Sequence, residues 1–357
     1  MNRIRYRSAL TAISAACLLA GCAHMVKPAR VRPASPAAVQ KASIPAPPAP
    51  YTARPEVQQF IDRLVQQDGF DKNWLEKTLA AAQPHDSILA AIAKPYEAKP
   101  WYQYKPLFVT PARINAGVAF WDAHAALLTK AQQQYGVPAS IIVSILGVES
   151  FYGRQKGGYP VLNALATLSF DYPPRAGFFQ GELEQYLLMC REHGFDPPSL
   201  MGSYAGAMGA PQFMPDSYRQ YAVTFDGKGS PDIWSNWADI IGSVANYFHI
   251  HGWQPDDLVA VPAALSAVVT KIPATLAPTT VGVLRSGGVV VSHGLADNTP
   301  AMLVPLELAD STEYWVGLHN FRVILQYNRS PLYAMAVYDL ATRITEARAL
   351  EGQSAPP

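Results

Sequence analysis

The sequence predicts an α+β fold that is mainly α, with a small β-containing part near the C-terminus. Two observations support this fold class. Apolar residues recur at helical spacing from about Pro55 to residue 251. Beyond residue 260 they occur instead in short runs that favour strands or turns, and a final helical pattern covers 333–348.

The first predicted helices carry the apolar residues Val57, Phe60, Ile61 and Leu64, followed by Leu75 and Leu79. An apolar stripe from Ile114 to Leu128 predicts one helix, and Gly136 ends it because glycine favours the left-handed turn after a helix. Pro138 suits the first turn of the next helix, predicted to run to about Ser150. The remaining predicted helices cover 179–193, 214–222 and 236–251, and the short strands or turns cover 286–292, 302–308, 313–317 and 321–327.

Composition excludes several classes of protein. The 357 residues include 28 Lys and Arg against 27 Asp and Glu, a formal net charge of +1, so the chain lacks the basic field that attracts nucleic acids. Hydrophobic residues make up 49% of the chain, which excludes a wholly disordered protein. Three cysteines are too few for a disulfide scaffold.

The N-terminus predicts export and lipidation. Three arginines precede an apolar segment, 9–20, that is too short to span a bilayer, so 1–21 is predicted to be a signal peptide. Residues 19–22 (LAGC) resemble a bacterial lipobox, in which the cysteine is lipidated; an ordinary signal peptide with an incidental Cys22 is the alternative. Ala23 follows in place of aspartate, which in such lipoproteins implies an outer-membrane protein facing the periplasm. Residues 22–54 would form a Pro/Ala-rich tether, and Cys190 is predicted to be buried and unpaired.

Glu149 is the first candidate catalytic residue. It lies four residues after Ile145 and three after Leu146, so it shares the apolar face of a hydrophobic helix. Desolvation there should raise its pKa, and an acid still protonated near neutrality can act as a general acid. The alternative is a glutamate at a helix end that points into solvent.

A second candidate segment, 202–215, reads GSYAGAMGAPQFMP. Its glycines allow a ligand to approach backbone amides, and Ser203 and Gln212 supply neutral hydrogen-bonding groups. Such a surface suits a ligand rich in hydroxyl and amide groups. A tight loop between two helices is the alternative.

Several long segments closely resemble the membrane-bound lytic murein transglycosylase B family, over roughly 55–345. They are GVAFW (117–121), YGVPASIIVSILGVES (135–150), NALATLSFDYPPRAGFF (163–179), GSYAGAMGAPQFMPDSY (202–218), GSVANYFHIHGW (242–253) and YWVGLHNFRVILQYNRSPLYAMAV (314–337). The resemblance implies a lysozyme-like core, about 101–253, with additional helices. This core would lie within a catalytic domain, 55–350, that has a β-containing part at about 270–332 and precedes a flexible tail, 351–357.

The resemblance also implies an activity. Glu149 would be the sole acid and base in a non-hydrolytic cleavage of the β-1,4 bond between N-acetylmuramic acid and N-acetylglucosamine, leaving 1,6-anhydro ends. Peptidoglycan glycan strands would be the substrate partner, and the N-terminal lipid would bind the protein to the membrane. Other cell-wall enzymes are further candidate partners, and the enzyme is expected to be a monomer. Ser203 and Gln212 would hold the sugar, and Arg175 would contact the peptide stem or lactyl carboxylate. The groove would be lined by Tyr104, Tyr172, Tyr247, Tyr327 and Tyr333.

One segment departs from the family. Members often carry a calcium-binding loop after the FMP motif, but here position 3 counted from Asp226 is Lys228 and position 12 is Trp237. No cofactor is therefore expected to be required. Calcium, if it bound, would draw on Asp226, Ser230 and Asp239; alternatively, the Lys228 ammonium would replace the metal in an internal salt bridge.

Two other functions remain open at the level of sequence. A hydrolytic muramidase would need a second carboxylate, and Asp171 and Asp216 lie in the matching segments. A catalytically silent peptidoglycan-binding lipoprotein would not need Glu149. Serine and zinc hydrolases are disfavoured because the sequence contains neither G-x-S-x-G nor H-E-x-x-H.

Overall fold

The computed structural model describes residues 50–93, 99–267, 269 and 274–354. The predicted signal peptide, Cys22, most of the tether and the last three residues of the predicted tail lie outside the described residues. Among the residues described, no helix combines the length and apolar character needed to cross a membrane.

Helices dominate the described chain, as the sequence predicts. In chain order they are α1 (Pro55–Asp68), α2 (Lys72–Ala81), α3 (Asp86–Ile92), α4 (Trp101–Phe108), α5 (Pro111–Ala123), α6 (Ala125–Tyr135), α7 (Ala139–Ser150), α8 (Val161–Phe170), α9 (Ala176–His193), α10 (Pro215–Tyr221), α11 (Trp237–Ile250), α12 (Val281–Ser286), α13 (His319–Tyr327) and α14 (Pro331–Ser354).

The strands form two antiparallel sheets. Strands β1 (Tyr159–Pro160) and β2 (Met201–Gly202) make a short pair. The second sheet has the order β4-β6-β7-β3-β5 and confirms a small β-containing part near the C-terminus. Its strands are β3 (Ala260–Leu265), β4 (Thr279–Thr280), β5 (Val289–Val291), β6 (Pro300–Glu307) and β7 (Thr312–Gly317).

Two predicted elements differ from the structure. The stripe from Ile114 to Leu128 is two helices, because the chain leaves helical geometry at His124 (φ −119°, ψ 20°). The prediction of strand or turn at 321–327 was wrong, since this segment belongs to α13. Its buried residues Phe321 and Ile324 are three positions apart, which fits a helix. So short an apolar run does not distinguish helical from strand periodicity in the sequence.

Helix α7 lies in the core and packs against α5, α6, α11 and α14. Ten of its twelve residues are buried, and only Ser140 and Glu149 retain partial exposure. A helix that is apolar on all sides is normally buried, and this one carries a single acidic residue. Cys190 in α9 is buried and unpaired, as predicted.

The chain turns sharply directly after α7. Phe151 and Tyr152 both adopt left-handed backbone conformations, with φ of 49° and 58°. The buried Tyr152 hydroxyl donates to the carbonyl of Arg113 in α5 at 2.9 Å. A Cβ atom at Gly117 or Gly147 would lie 2.5 or 2.6 Å from that hydroxyl oxygen, so both helices need glycine where Tyr152 passes between them.

Candidate active site

Glu149 occupies the last turn of α7, and its carboxylate meets α14. Tyr333, in the first turn of α14 and only 3% exposed, donates from its hydroxyl to Glu149 Oε1 at 2.5 Å. The predicted alternative, a glutamate pointing freely into solvent, does not match this geometry. Glu149 therefore keeps partial exposure, and its carboxyl has one identified donor.

Burial raises the pKa of Glu149 to about 7, and the hydrogen bond from Tyr333 opposes the rise. Among the described residues, no charged group contributes to the shift of this pKa. Burial also raises the pKa of Tyr333 well above its ordinary range, and the Glu149 charge adds to the effect. Near neutrality Tyr333 is therefore a proton-bearing donor, and Glu149 can exchange its proton.

Three of the five predicted tyrosines form a ring cluster that reaches the carboxylate through Tyr333. The rings of Tyr327 and Tyr333 are nearly parallel with centroids 6.5 Å apart, and the ring of Tyr247 lies 4.7 Å from that of Tyr327. Tyr247 donates to the carbonyl of Gln326 at 2.7 Å, and Tyr327 donates to the carbonyl of Pro211 at 2.6 Å. Tyr333 thus points its hydroxyl at Glu149, whereas the other two hydroxyls fix backbone around the site.

The glycine-rich segment folds as a tight loop whose polar side chains bind its own backbone and that of Lys156. The Ser203 hydroxyl oxygen accepts from the N–H groups of Ala205 and Ala207 at 3.2 and 3.0 Å. Gln212 has a left-handed φ of 52°, and its Nε2 donates to the carbonyls of Gly209 and Lys156 at 2.8 and 3.2 Å. The hydroxyl proton of Ser203 and the amide oxygen of Gln212 have no role in these bonds.

Of the remaining predicted binding residues, Tyr104 lies near enough to Tyr333 to raise its pKa, whereas Tyr172 and Arg175 lie around a 3-10 turn. Tyr104 is 2% exposed and packs against Phe108 at a ring distance of 5.0 Å. Tyr172 is half-buried and directly precedes a 3-10 turn that ends at Arg175. Arg175 is exposed, with its guanidinium 4.5 Å above the ring of Phe178.

The second-carboxylate candidates are engaged elsewhere. The Asp171 carboxylate pairs with Arg54 at 2.5 Å and accepts from the Tyr51 hydroxyl at 2.7 Å. Asp216 accepts from the side chain of Gln220. Neither residue is a cause of the pKa shift of Glu149, although the Asp216 charge contributes to the raised pKa of Tyr247.

Sequence reasoning missed the buried carboxyl of Glu182 in α9. It accepts from the backbone N–H of Asp216, in the first turn of α10, at 3.1 Å. Burial raises its pKa to about 7. Glu182 lies three residues after Phe179 and next to Leu183, so the same helical-face argument that finds Glu149 would have found it.

The degenerate calcium loop is closed by hydrogen bonds. The fully buried Asp239 carboxylate accepts from the N–H groups of Phe225 and Asp232 at 2.7 and 3.0 Å. Asp226 accepts from the N–H of Lys228 and from Asn236. In the described chain Lys228 is exposed, and its positive charge contributes to lowering the pKa of Asp226; the internal salt bridge stays a prediction.

The carboxylates of this loop are directed at N–H donors, and a cation stands at a ligand position. The loop therefore fits a calcium ion poorly. No cluster of three or more His, Cys, Asp or Glu side chains suited to a metal occurs within the described ranges.

The chain matches the family model described as the Transglycosylase SLT domain over residues 52–342. It is 42% identical over 314 residues to membrane-bound lytic murein transglycosylase B of Escherichia coli (strain K12), covering 84% of this chain and 85% of that protein. The chain therefore belongs to the SLT transglycosylase family, and it is a lytic transglycosylase that cleaves peptidoglycan.

Solved structures agree with this assignment. The structure of the catenated lytic transglycosylase SltB1 from Pseudomonas aeruginosa matches with a TM-score of 0.79 and 47% identity, covering 84% of this chain and 99% of that one. SltB3 from the same organism, in complex with NAG-NAM-pentapeptide, matches with a TM-score of 0.71 and 33% identity, covering 81% of this chain and 79% of that one. The fold is thus the mainly helical, lysozyme-like one that the resemblance implied.

Proposed function

We propose that Glu149 alone supplies the acid and then the base for a non-hydrolytic cleavage of the glycan strand. The observation that carries this proposal is the largely buried Glu149 carboxyl, with a pKa of about 7 and a hydrogen bond from Tyr333. A group that titrates near neutral pH can donate a proton in one step and accept one in the next. The absence of a charged group acting on this pKa, within the described chain, supports a one-carboxylate mechanism.

In the first step the protonated Glu149 gives its proton to the oxygen that links N-acetylmuramic acid to N-acetylglucosamine, and the C1–O bond breaks. The carboxylate that remains accepts the hydrogen bond from Tyr333. In the second step it takes the proton from the muramyl 6-hydroxyl, whose oxygen bonds to C1. The product is a 1,6-anhydro ring, and no water is consumed.

The loop 202–215 is the proposed sugar-binding wall. Ser203 retains a hydroxyl proton and Gln212 an amide oxygen, so the pair offers one donor and one acceptor to a glycan. The complex of SltB3 with NAG-NAM-pentapeptide supports a ligand of this class. Tyr247 and Tyr327 would orient both the loop and Tyr333. Arg175 would contact the stem peptide or the lactyl group. Tyr104 and Tyr172 would complete the aromatic lining.

Product analysis tests the chemistry. Purified wild-type protein should release muropeptides with 1,6-anhydro ends from isolated sacculi, and Glu149→Gln should release essentially none. Glu182→Gln is the matched control, because it neutralises the other buried carboxyl with a pKa of about 7 and should keep most of the activity. Reducing ends in place of anhydro ends would establish the hydrolase alternative. Wild-type release by Glu149→Gln would overturn the role of Glu149.

We also propose that the protein is an outer-membrane lipoprotein facing the periplasm, with residues 1–21 removed, Cys22 acylated and 22–54 serving as the tether. The arginines, the short apolar segment and the LAGC sequence support this proposal, as does the membrane-bound relative in Escherichia coli. Full-length protein should fractionate with outer membranes and yield an acylated N-terminal peptide. Cys22→Ala should fractionate elsewhere, and an unmodified wild-type peptide would refute the anchor.

A further inference from the structure

A cleft lies beside α14, away from Glu149. It has a volume of about 230 Å³, and α4, β6, β7 and α14 contribute its walls. Tyr333 and Thr342 are nine residues apart on α14, which places them about 180° apart around the helix axis. Because Tyr333 contacts Glu149 and Thr342 lines the cleft, the two sites lie on opposite sides of one helix.

The cleft has aromatic walls. The rings of Trp315 and Tyr338 meet edge to face with centroids 6.0 Å apart, and both residues are partly exposed. Trp101 also lines the cleft, with the Lys105 ammonium 5.8 Å from its ring. Partly exposed aromatic rings at a cavity wall offer apolar faces to a ligand that carries polar groups at its edges.

The rim of the cleft is polar and nearly balanced in charge. Asp339 pairs with Lys105 at 2.6 Å and with Arg343 at 3.4 Å, and Trp315 Nε1 donates to Glu313 at 2.8 Å. With Glu346, the lining holds two cationic and three anionic side chains, a formal net charge of −1. Lys105, Asp339, Arg343 and Glu346 already pair among themselves, and Glu313 accepts from the Trp315 indole, which favours a neutral ligand with many hydroxyl groups over a charged one.

We propose that this cleft binds a neutral, N-acetylated sugar ring of a glycan strand at a site separate from the catalytic one. The C–H face of the sugar packs on Trp315 and Tyr338, while its hydroxyls bond to Glu313 and Arg343. The volume is below the roughly 300–1,000 Å³ of pockets for drug-sized ligands, which suits a single ring. The proposal rests on peptidoglycan as the substrate and not on the chemistry of Glu149. A second binding site for the polymer would keep the enzyme bound to a sacculus between cleavages.

Binding is tested by nuclear magnetic resonance on full-length ¹⁵N-labelled Glu149→Gln protein titrated with the trisaccharide of N-acetylglucosamine. The indole N–H signal of Trp315, assigned from its loss in Trp315→Phe, should shift and saturate at millimolar concentrations. Thr342→Phe, which fills the cleft from an exposed position, and Tyr338→Ala should each weaken this binding about fivefold or more. Arg348→Ala, on the same helix but paired with Asp122 outside the cleft lining, should leave it unchanged. An unmoved Trp315 signal, or equal affinity in Thr342→Phe, overturns the proposal.

An activity comparison tests what the site does. Thr342→Phe should slow release from intact sacculi about fivefold, yet leave the rate on short soluble glycan fragments at the wild-type value. Equal losses on both substrates, or no loss on sacculi, would show that the cleft has no part in holding the polymer. The Trp315 signal reports binding and not turnover, so it remains informative even if the products contradict the proposed chemistry of Glu149.

Discussion

Tyr333 and Glu149 are 184 positions apart in the chain, and the hydroxyl of one lies 2.5 Å from the carboxyl of the other. Burial and this hydrogen bond act in opposite directions on the pKa of Glu149. Burial favours the neutral acid, whereas the Tyr333 proton favours the carboxylate. The pair therefore sets how readily the proton leaves and returns.

Removing the Tyr333 hydroxyl should make Glu149 harder to ionise. In Tyr333→Phe we expect the alkaline limb of the pH–rate profile to move to higher pH and the maximal rate to fall about tenfold, the loss of one hydrogen bond to a charged group. Release of anhydro-muropeptides from sacculi across a pH series measures both effects. Tyr327→Phe is the control, because that hydroxyl bonds to Pro211. If the alkaline limb of the pH–rate profile does not move in Tyr333→Phe, the proposed effect of Tyr333 on the pKa of Glu149 is contradicted.

Glu149 should make the protein less stable as pH rises. Its pKa in the folded protein is about 7 against an ordinary 4.5, so the folded state binds more protons between these values. The free energy of unfolding therefore falls from about pH 4.5 to pH 7. Glu149→Gln removes this dependence, and its stability relative to wild type should increase by about 1–3 kcal/mol from pH 4 to pH 8. Urea unfolding at both values tests this.

Glu182 provides a check on that measurement. Its raised pKa gives a second, independent pH dependence of the same sign. Glu182→Gln should remove only the part of the pH dependence of unfolding that Glu182 causes. The double variant should lose the sum of both parts, because no contact couples the two carboxyls in the described structure. Equal pH dependence in wild type and both single variants would refute the burial argument for both groups.

The glycine at 147 should be essential for packing. A Cβ there would lie 2.6 Å from the Tyr152 hydroxyl oxygen and 2.8 Å from its ring carbon Cζ, so Gly147→Ala must displace a buried ring. We expect a loss of about 1–3 kcal/mol in thermal or urea unfolding. Gly181→Ala, in helix α9 with nothing within 4 Å of the new Cβ, should be neutral or slightly stabilising. Similar effects of the two substitutions would contradict the close approach of Tyr152.

The loop at 226–239 should not need calcium. The melting temperature should be the same in excess calcium and in chelator, because Asp239 already closes the loop through two backbone N–H groups. Asp239→Ala should cost about 2–4 kcal/mol by leaving those buried donors without a partner. A rise in melting temperature with calcium in wild-type protein would show that the loop rearranges around a metal.

Sequence periodicity locates Glu149 because a helical face depends on local spacing alone. It also predicts the direction of the pKa shift, since burial follows from the apolar neighbours at 145 and 146. The partner at 333 lies on a distant helix, and spacing along the chain says nothing about which helices meet. The same limit applies to Ser203 and Gln212, whose backbone bonds arise from the left-handed turns of the loop. At 321–327 the apolar run is too short to distinguish helical from strand periodicity.

Glu149 stands at the last turn of α7, where the aligned peptide dipoles of a helix leave a partial negative charge. A carboxylate at that end is disfavoured by about 0.3–1 kcal/mol at an exposed site, and by more where it is partly buried. The backbone itself therefore helps to keep the acid neutral before reaction. Once the proton has left, the same partial charge makes the carboxylate a stronger base, so this helix end keeps Glu149 protonated before the first step and favours proton uptake in the second.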